Sequence, residues 1–259
     1  MFPIRDDNPH FLIPYTTYGI IALNVIAWVL LQGLGTEPML SRSVCRLGLI
    51  PGELLHTVPA GTRLQVGPGS MCILGDTSRW YTAITSMFLH GGWLHLIGNM
   101  WFLWIFGNNV EDAMGHGRFG GFYGLCGVAA AALQVATAPD SAVPMVGASG
   151  AIGGVMGAYI LLYPRVHVHM LIFLGFFITT VAVPAYVMLG YWLLIQLISG
   201  FGTLGDQGGG VAFWAHVGGF VAGALLVLVF RDPRLLARHP YHGWTQPHAP
   251  SRSWRQIGR

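Results

Sequence analysis

A serine and a histidine are polar residues within otherwise apolar stretches of the chain. Ser149 lies in the sequence VGASGA (146–151), and His216 lies in the sequence AHVGG (215–219). A serine hydroxyl becomes a nucleophile when a neighbouring imidazole accepts its proton, and such a pair performs acyl transfer. The two residues therefore predict nucleophilic catalysis, provided that the fold brings them within about 3 Å of each other.

The helix that would follow Ser149 is too short to cross a bilayer alone. It has about 14 residues before the sequence YPR (163–165), which is about 21 Å, whereas a hydrocarbon core is about 30 Å thick. The preceding segment, 140–144, must then dip inward, and irregular backbone is tolerated there only where protein or water surrounds it. We therefore expect Ser149 at a helix N-terminus inside a cavity, where free N–H groups favour negative charge.

Two further polar side chains occur in a segment that otherwise suits lipid. His95 and Asn99 are four residues apart, so both project from one face of a helix. Neither side chain can be left unpaired in hydrocarbon without a free-energy cost. Such donors could complement backbone N–H groups in an oxyanion hole.

Glycines recur at helical spacing beside both candidate catalytic residues. Small residues four positions apart allow two membrane helices to approach closely, which would let a serine on one helix reach a histidine on the other. The glycines that we expect to pack these helices are Gly147, Gly150, Gly153, Gly219 and Gly223.

The composition is that of a polytopic membrane protein. Apolar residues make up 53% of the 259 residues and charged residues only 9%, with a mean hydropathy of +0.57. Soluble domains carry about 25% charged residues. Runs without Asp, Glu, Lys or Arg predict six membrane helices in an all-α bundle: 8–36, 80–110, 119–139, 141–164, 166–205 and 207–230. Seven helices are the alternative, because the run 166–205 could hold two short spans.

The distribution of arginine predicts the topology. The tail, 231–259, carries six arginines and one aspartate, so the positive-inside rule places it in the cytoplasm. With six spans the N-terminal segment, 1–17, is cytoplasmic too. The membrane domain is then 18–230, with a long extracytoplasmic loop at 35–79. Under this topology His95, Asn99, Ser149 and His216 share the outer half of the membrane.

Other classes of site find little support in the sequence. The arginines form no stripe, so nucleic acid is not an expected partner. The three cysteines show no metal-binding spacing, and we expect neither a metal nor a cofactor. A disulfide between Cys45 and Cys72 would require their loop to be extracytoplasmic, and the sequence favours unpaired thiols.

The combined motifs resemble those of the rhomboid intramembrane serine proteases. The resemblance covers about 80–230 and rests on HLIGN (95–99), GASG (147–150) and AHVGG (215–219), in that order. It implies that Ser149 is the nucleophile, that His216 is the general base, and that His95, Asn99 and the Ser149 N–H stabilise the oxyanion. Some bacterial members place an aromatic ring one turn after the serine. That position is Gly153 here, so the resemblance does not imply what supports the His216 ring.

These features predict an endopeptidase that cleaves membrane proteins in or near a transmembrane helix. The expected partners are transmembrane substrates and the lipid bilayer, while the sequence does not indicate an oligomeric state. A catalytically inactive rhomboid-like protein that binds membrane proteins is the alternative, and the presence of both Ser149 and His216 argues against it. The compact form suggests a prokaryotic plasma membrane.

Overall fold

The chain is mostly helical. The computed structural model describes residues 2–67, 69–174, 177–202 and 210–239, so 240–259 of the expected tail lie outside the described residues. The helices are α1 Tyr15–Leu30, α2 Met39–Leu47, α3 Pro51–Leu54, α4 Thr82–Thr85, α5 Trp93–Met114, α6 His116–Thr137, α7 Ser149–Leu162, α8 Ala185–Gly202, α9 Phe213–Phe230 and α10 Pro233–Arg238. The strands are β1 Phe2–Asp6, β2 Arg63–Gly67, β3 Ser70–Ile73, β4 His167–Leu174 and β5 Phe177–Pro184. The all-α prediction was therefore incomplete.

Three helices of the described chain, α6, α8 and α9, are long and apolar enough to cross a membrane. Helices α1 and α7 are also apolar but shorter. Helix α5 is 22 residues long and carries Glu111 and Asp112 near its end. Each of the six predicted runs overlaps one of these helices, although α5 ends after its run and α6 begins before its run. Length and composition identify only three of the six helices as spans.

The fifth predicted run folds differently from the prediction. Its first half forms the antiparallel hairpin β4–β5, in which His167 pairs with Pro184, and only its second half is helical. Strand β1 adds to the other edge of β4, which gives the order β1-β4-β5. The sequence ITTVAV (178–183) is rich in β-branched residues, which favour strands. A hydropathy pattern alone does not separate an apolar strand from an apolar helix, so the error lay in using charge-free length as the criterion.

One end of the bundle gathers both termini of the described chain. The carboxylate of Asp112 accepts hydrogen bonds from the N–H groups of Phe11 and Leu12, at 2.7 and 2.9 Å. The N–H of Asp232 donates to the carbonyl of Ala113 at 2.7 Å. The N-terminal segment, the α5–α6 turn and the start of α10 thus lie on one side of the molecule.

A buried carboxylate caps helix α1 at this end. Glu111 is fully buried, and its two oxygens accept hydrogen bonds from the N–H groups of Thr16 and Thr17 at 2.9 and 2.8 Å. These N–H groups belong to the first turn of α1, which has no side-chain cap of its own. The acidic residues that end the second predicted run therefore fix the position of the first helix.

The loop 35–79 lies at the opposite end and is folded. It contains α2, α3 and the hairpin β2–β3, and a disulfide joins Cys45 to Cys72. The expectation of unpaired thiols was therefore wrong. Leu49 and Met145 exchange two backbone hydrogen bonds, of 3.0 and 2.7 Å, which attach this loop to the segment that precedes Ser149. Disulfides persist in oxidising compartments, so the bond agrees with an extracytoplasmic loop.

Candidate active site

Ser149 is the first residue of α7, as the sequence predicted. Gly147 precedes it with φ of +132°, a conformation that a residue with a side chain rarely adopts. The N–H of Gly147 donates to the carbonyl of Ser86 at 2.9 Å, which anchors this turn to the segment before α5. A Cβ atom at Gly147 would lie 2.8 Å from Nε2 of His95 and 3.4 Å from Oγ of Ser149, so the turn brings both side chains to one place.

Helices α7 and α9 pack almost backbone against backbone. A Cβ atom at Gly219 would overlap the carbonyl oxygen of Gly150, and one at Gly223 would overlap that of Gly154. A Cβ atom at Gly153 would lie 2.9 Å from the carbonyl oxygen of His216. The predicted small-residue faces therefore meet, and His216 comes next to the N-terminus of α7.

Ser149 and His216 are hydrogen-bonded. The hydroxyl Oγ of Ser149 lies 2.8 Å from Nε2 of His216, although 67 positions separate the two residues. The pair lines a cavity of about 410 Å³. Among the described residues that line this cavity, none carries a carboxylate or a guanidinium group. In such an apolar environment a hydrogen bond is electrostatically stronger than in water.

His95 presents a donor to the same cavity. The Nδ1 atom of His95 accepts a hydrogen bond from the N–H of Gly91 at 3.3 Å. A neutral imidazole that accepts at one nitrogen carries its proton on the other. The Nε2–H of His95 is therefore the donor, and Nε2 is the atom that faces Gly147. The buried imidazole of His90 packs edge-on against this ring, with ring centroids 5.1 Å apart.

Asn99 supplies a donor without an acceptor. Its side chain is 8% exposed, lines the cavity and has an amide nitrogen with no hydrogen-bond partner among the described residues. An unpaired buried donor costs about 1–3 kcal/mol. An oxyanion hole offers unpaired donors of this kind before a substrate oxygen arrives. The N–H of Ser149, at the open end of α7, likewise meets no acceptor in the described chain.

Two residues of α8 contact His216, and the sequence analysis missed both. The amide oxygen Oε1 of Gln196 lies 2.8 Å from Nδ1 of His216. The indole of Trp192 packs against the imidazole, with ring centroids 5.7 Å apart and planes inclined at 36°. An amide in an otherwise apolar helix was the available signal, since polar side chains inside a membrane are costly and usually functional.

Within the described residues, no group of three or more His, Cys, Asp or Glu side chains converges as a metal site requires. What the arrangement provides is a serine, a hydrogen-bonded imidazole and three N–H donors around one cavity. Together these groups can carry out acyl transfer.

Comparison with known proteins gives a consistent set of relatives. Residues 77–233 match the Rhomboid domain. The chain is 34% identical to the rhomboid protease GluP of Bacillus subtilis over 215 residues, which cover 83% of this chain and 35% of that protein. It is 30% identical to RHOMBOID-like protein 5 of Arabidopsis thaliana over 186 residues, which cover 72% of this chain and 53% of that protein.

A shorter match is to the chloroplastic Rhomboid-like protein 11 of Arabidopsis thaliana, 36% identical over 95 residues. That match covers 37% of this chain and 34% of the relative. The chain thus spans between about a third and about half of the length of these three curated relatives.

Proposed function

Because the chain belongs to the rhomboid family, and is a multi-pass membrane protein, we propose that it is a serine endopeptidase of transmembrane proteins. The proposal rests on one observation above all, the hydrogen bond of 2.8 Å between Ser149 and His216. The Ser149 hydroxyl is the nucleophile and His216 is the general base. Neither residue needs a metal or a cofactor for this chemistry.

In the acylation step, Oγ of Ser149 attacks the carbonyl carbon of the scissile peptide bond while Nε2 of His216 takes the hydroxyl proton. The negative charge that develops on the carbonyl oxygen is stabilised by the N–H of Ser149, Nε2–H of His95 and the amide of Asn99. His216 then gives its proton to the leaving amine, and the acyl group remains on Ser149. Water attacks this ester with His216 again as the base, which regenerates the hydroxyl.

The substrate must offer an accessible peptide bond to this cavity. A bond inside an intact helix has its backbone groups paired, so it is poorly exposed to attack. We therefore infer that a substrate segment enters the site in a locally unwound form. The walls of the cavity are largely apolar, with residues such as Phe102 and Met156, which suits an apolar segment from a membrane helix.

Six spans and cytoplasmic termini complete the proposal. The described N-terminal segment and α10 lie at one end of the bundle, and the disulfide-bonded loop lies at the other. Helices α1, α5, α6, α7, α8 and α9 then cross in alternating directions. The arginines at 231, 234 and 238 support a cytoplasmic position for the end with α10, by the positive-inside rule. The catalytic cavity accordingly opens toward the extracytoplasmic side.

Proteolysis in membranes tests the proposal. Wild type, Ser149→Ala and His216→Ala are co-expressed with a panel of reporters, each a single membrane span between two epitope tags. Among these three proteins, we expect separated tags only with wild type, at equal membrane insertion of all of them. Ser199→Ala, which changes a serine of α8 outside the cavity lining, should cleave like wild type. Cleavage that persists in Ser149→Ala or in His216→Ala would contradict the mechanism.

A further inference from the structure

Helix α8 supplies a third polar group to the catalytic pair. We propose that Gln196 is a positioning residue that holds His216 in the tautomer and orientation needed to accept the Ser149 proton. This inference rests on the proposed function and extends it, because the family resemblance does not imply what supports the His216 ring. The same helix also supplies Trp192, which contacts the face of the imidazole.

The hydrogen bonds of Gln196 fix which of its atoms faces the histidine. Its nitrogen Nε2 donates to the carbonyl of Trp192, one turn earlier in α8, at 3.3 Å. Its oxygen Oε1 is then the atom that lies 2.8 Å from Nδ1 of His216. The side chain is 7% exposed, so water does not compete freely for this contact. Since an amide oxygen only accepts hydrogen bonds, Nδ1 of His216 must carry a proton.

The protonation of Nδ1 has a direct consequence at the other ring nitrogen. In a neutral imidazole with hydrogen on Nδ1, the lone pair is on Nε2, which is the atom beside Oγ of Ser149. The opposite tautomer would place a hydrogen on Nε2 and leave no base for the serine. When Nε2 takes the proton, the imidazolium still donates from Nδ1, so the Gln196 contact persists as the positive charge forms.

Packing restrains the ring as well as hydrogen bonding. Trp192 lies one turn before Gln196, and its indole contacts the imidazole and also stacks on Phe220, with ring centroids 6.1 Å apart. No carboxylate hydrogen-bonds to His216 among the described residues. A neutral amide fulfils the orienting role without a buried charge, whose desolvation would be costly. Gly153, on the facing helix α7, leaves room for the approach of the α9 backbone, while the aromatic contact comes from α8.

The rate of labelling by a fluorophosphonate probe in mild detergent measures this role. In Gln196→Met the side chain has similar length but no strong acceptor, whereas Gln196→Glu keeps an acceptor oxygen in either protonation state. We expect Gln196→Met to react about tenfold more slowly than wild type. Gln196→Glu should restore a rate close to that of wild type. A purely structural role would predict similar losses in both variants.

Gln134→Met is the matched control. Among the described residues, Gln134 of α6 has no hydrogen bond to the His216 ring. Its amide oxygen instead accepts a hydrogen bond from the N–H of Ala215, the residue before His216 in α9, at 3.2 Å. Gln134→Met therefore also deprives an α9 residue of one side-chain amide acceptor, as Gln196→Met does. We expect Gln134→Met to be labelled at the wild-type rate. Labelling of Gln196→Met at the wild-type rate, or equal losses of rate in Gln196→Met and Gln196→Glu, would overturn this inference and leave the proposed function standing. Absence of labelling in folded wild type would overturn the proposed function and this inference with it.

A second measurement does not depend on any variant of Gln196. The ¹⁵N chemical shifts of labelled histidine report which ring nitrogen carries hydrogen, and the signal of His216 is assigned by its absence from His216→Ala. We expect the neutral form of His216 in wild type to carry hydrogen on Nδ1. Hydrogen on Nε2 in this form would contradict the assignment of Gln196 as the orienting acceptor.

Discussion

Gly219 lies directly against the carbonyl oxygen of Gly150, and no space remains between them for a side-chain carbon. Gly150 follows Ser149 in α7, and Gly219 lies one turn after His216 in α9. The separation of these two helix axes therefore sets the distance between the serine hydroxyl and the imidazole. Helix packing and the geometry of the proposed catalytic pair are therefore coupled at this contact.

Gly219→Ala should destabilise the protein and reduce catalysis together. The added methyl group must push α7 and α9 apart, and overpacking of this kind typically costs about 1–3 kcal/mol. Thermal unfolding in detergent and the labelling rate with a fluorophosphonate measure the two effects. Gly124→Ala in α6 is the control, because a Cβ atom there meets nothing within 4 Å. Unchanged stability and labelling in Gly219→Ala would show that the close contact does not set the site.

Asn99→Ala should slow the reaction without abolishing it. Loss of one oxyanion donor typically lowers the turnover rate by about 100- to 1,000-fold, while the N–H of Ser149 and His95 remain. Single-turnover acylation of purified protein is the measurement. Asn24→Ala replaces another buried asparagine, in α1 and outside the cavity lining, and should react at the wild-type rate per folded molecule. Wild-type acylation in Asn99→Ala would remove this residue from the oxyanion hole.

The disulfide should make two of the three cysteines unreactive. Denatured, unreduced protein is expected to take up one maleimide per chain, at Cys126, and reduced protein three. The bond closes a segment of sequence separation 27, and removing it in Cys45→Ser/Cys72→Ser should cost about 2–4 kcal/mol of stability. Mass spectrometry counts the adducts, and thermal unfolding measures the loss. Three adducts before reduction would contradict the bond.

Asp6 gives the stability a pH dependence. Burial raises the pKa of its carboxyl from 3.8 to about 6, while the Tyr159 hydroxyl donates to it at 2.5 Å and partly opposes this rise. The folded protein then holds a proton that the unfolded chain has released between these values, so stability falls as the pH rises through this window. Asp6→Asn, which cannot ionise, should remove the part of this fall in stability that Asp6 contributes.

Thermal unfolding of wild type and Asp6→Asn at about pH 4 and about pH 7 compares the two ends of this window. Asp140→Asn changes an exposed aspartate and provides the control. Its stability should depend on pH as that of wild type does. An identical pH dependence in wild type and Asp6→Asn would show that Asp6 does not titrate between these values.

The sequence singled out four polar residues that lie together in the structure, while it described the architecture less completely. Ser149, His216, His95 and Asn99 stand out because polar side chains are costly in apolar segments, and the structure brings all four to one cavity. The start of α7 at Ser149 followed from the short distance to the next proline. The glycine faces predicted the close packing of α7 on α9, because helical spacing is visible in the sequence.

Other features depend on contacts that are distant in sequence. The hairpin β4–β5 lies in a run whose hydropathy equally suits a helix, and β1 reaches it from the N-terminus. Gln196 meets His216 only because α8 packs beside α9. The pairing of Cys45 with Cys72 depends on the fold of the loop. In each case the partner is fixed by tertiary packing, which spacing along the chain does not reveal.

Mapping of a fluorophosphonate adduct tests the central claim most directly, because it requires no known substrate. Wild type, Ser149→Ala and His216→Ala are purified in mild detergent, treated with the probe and digested for mass spectrometry. The account predicts a single adduct, on Ser149 of wild type, and none in either variant at equal folding. An adduct on another residue, no adduct on folded wild type, or normal labelling of His216→Ala would contradict a serine activated by His216.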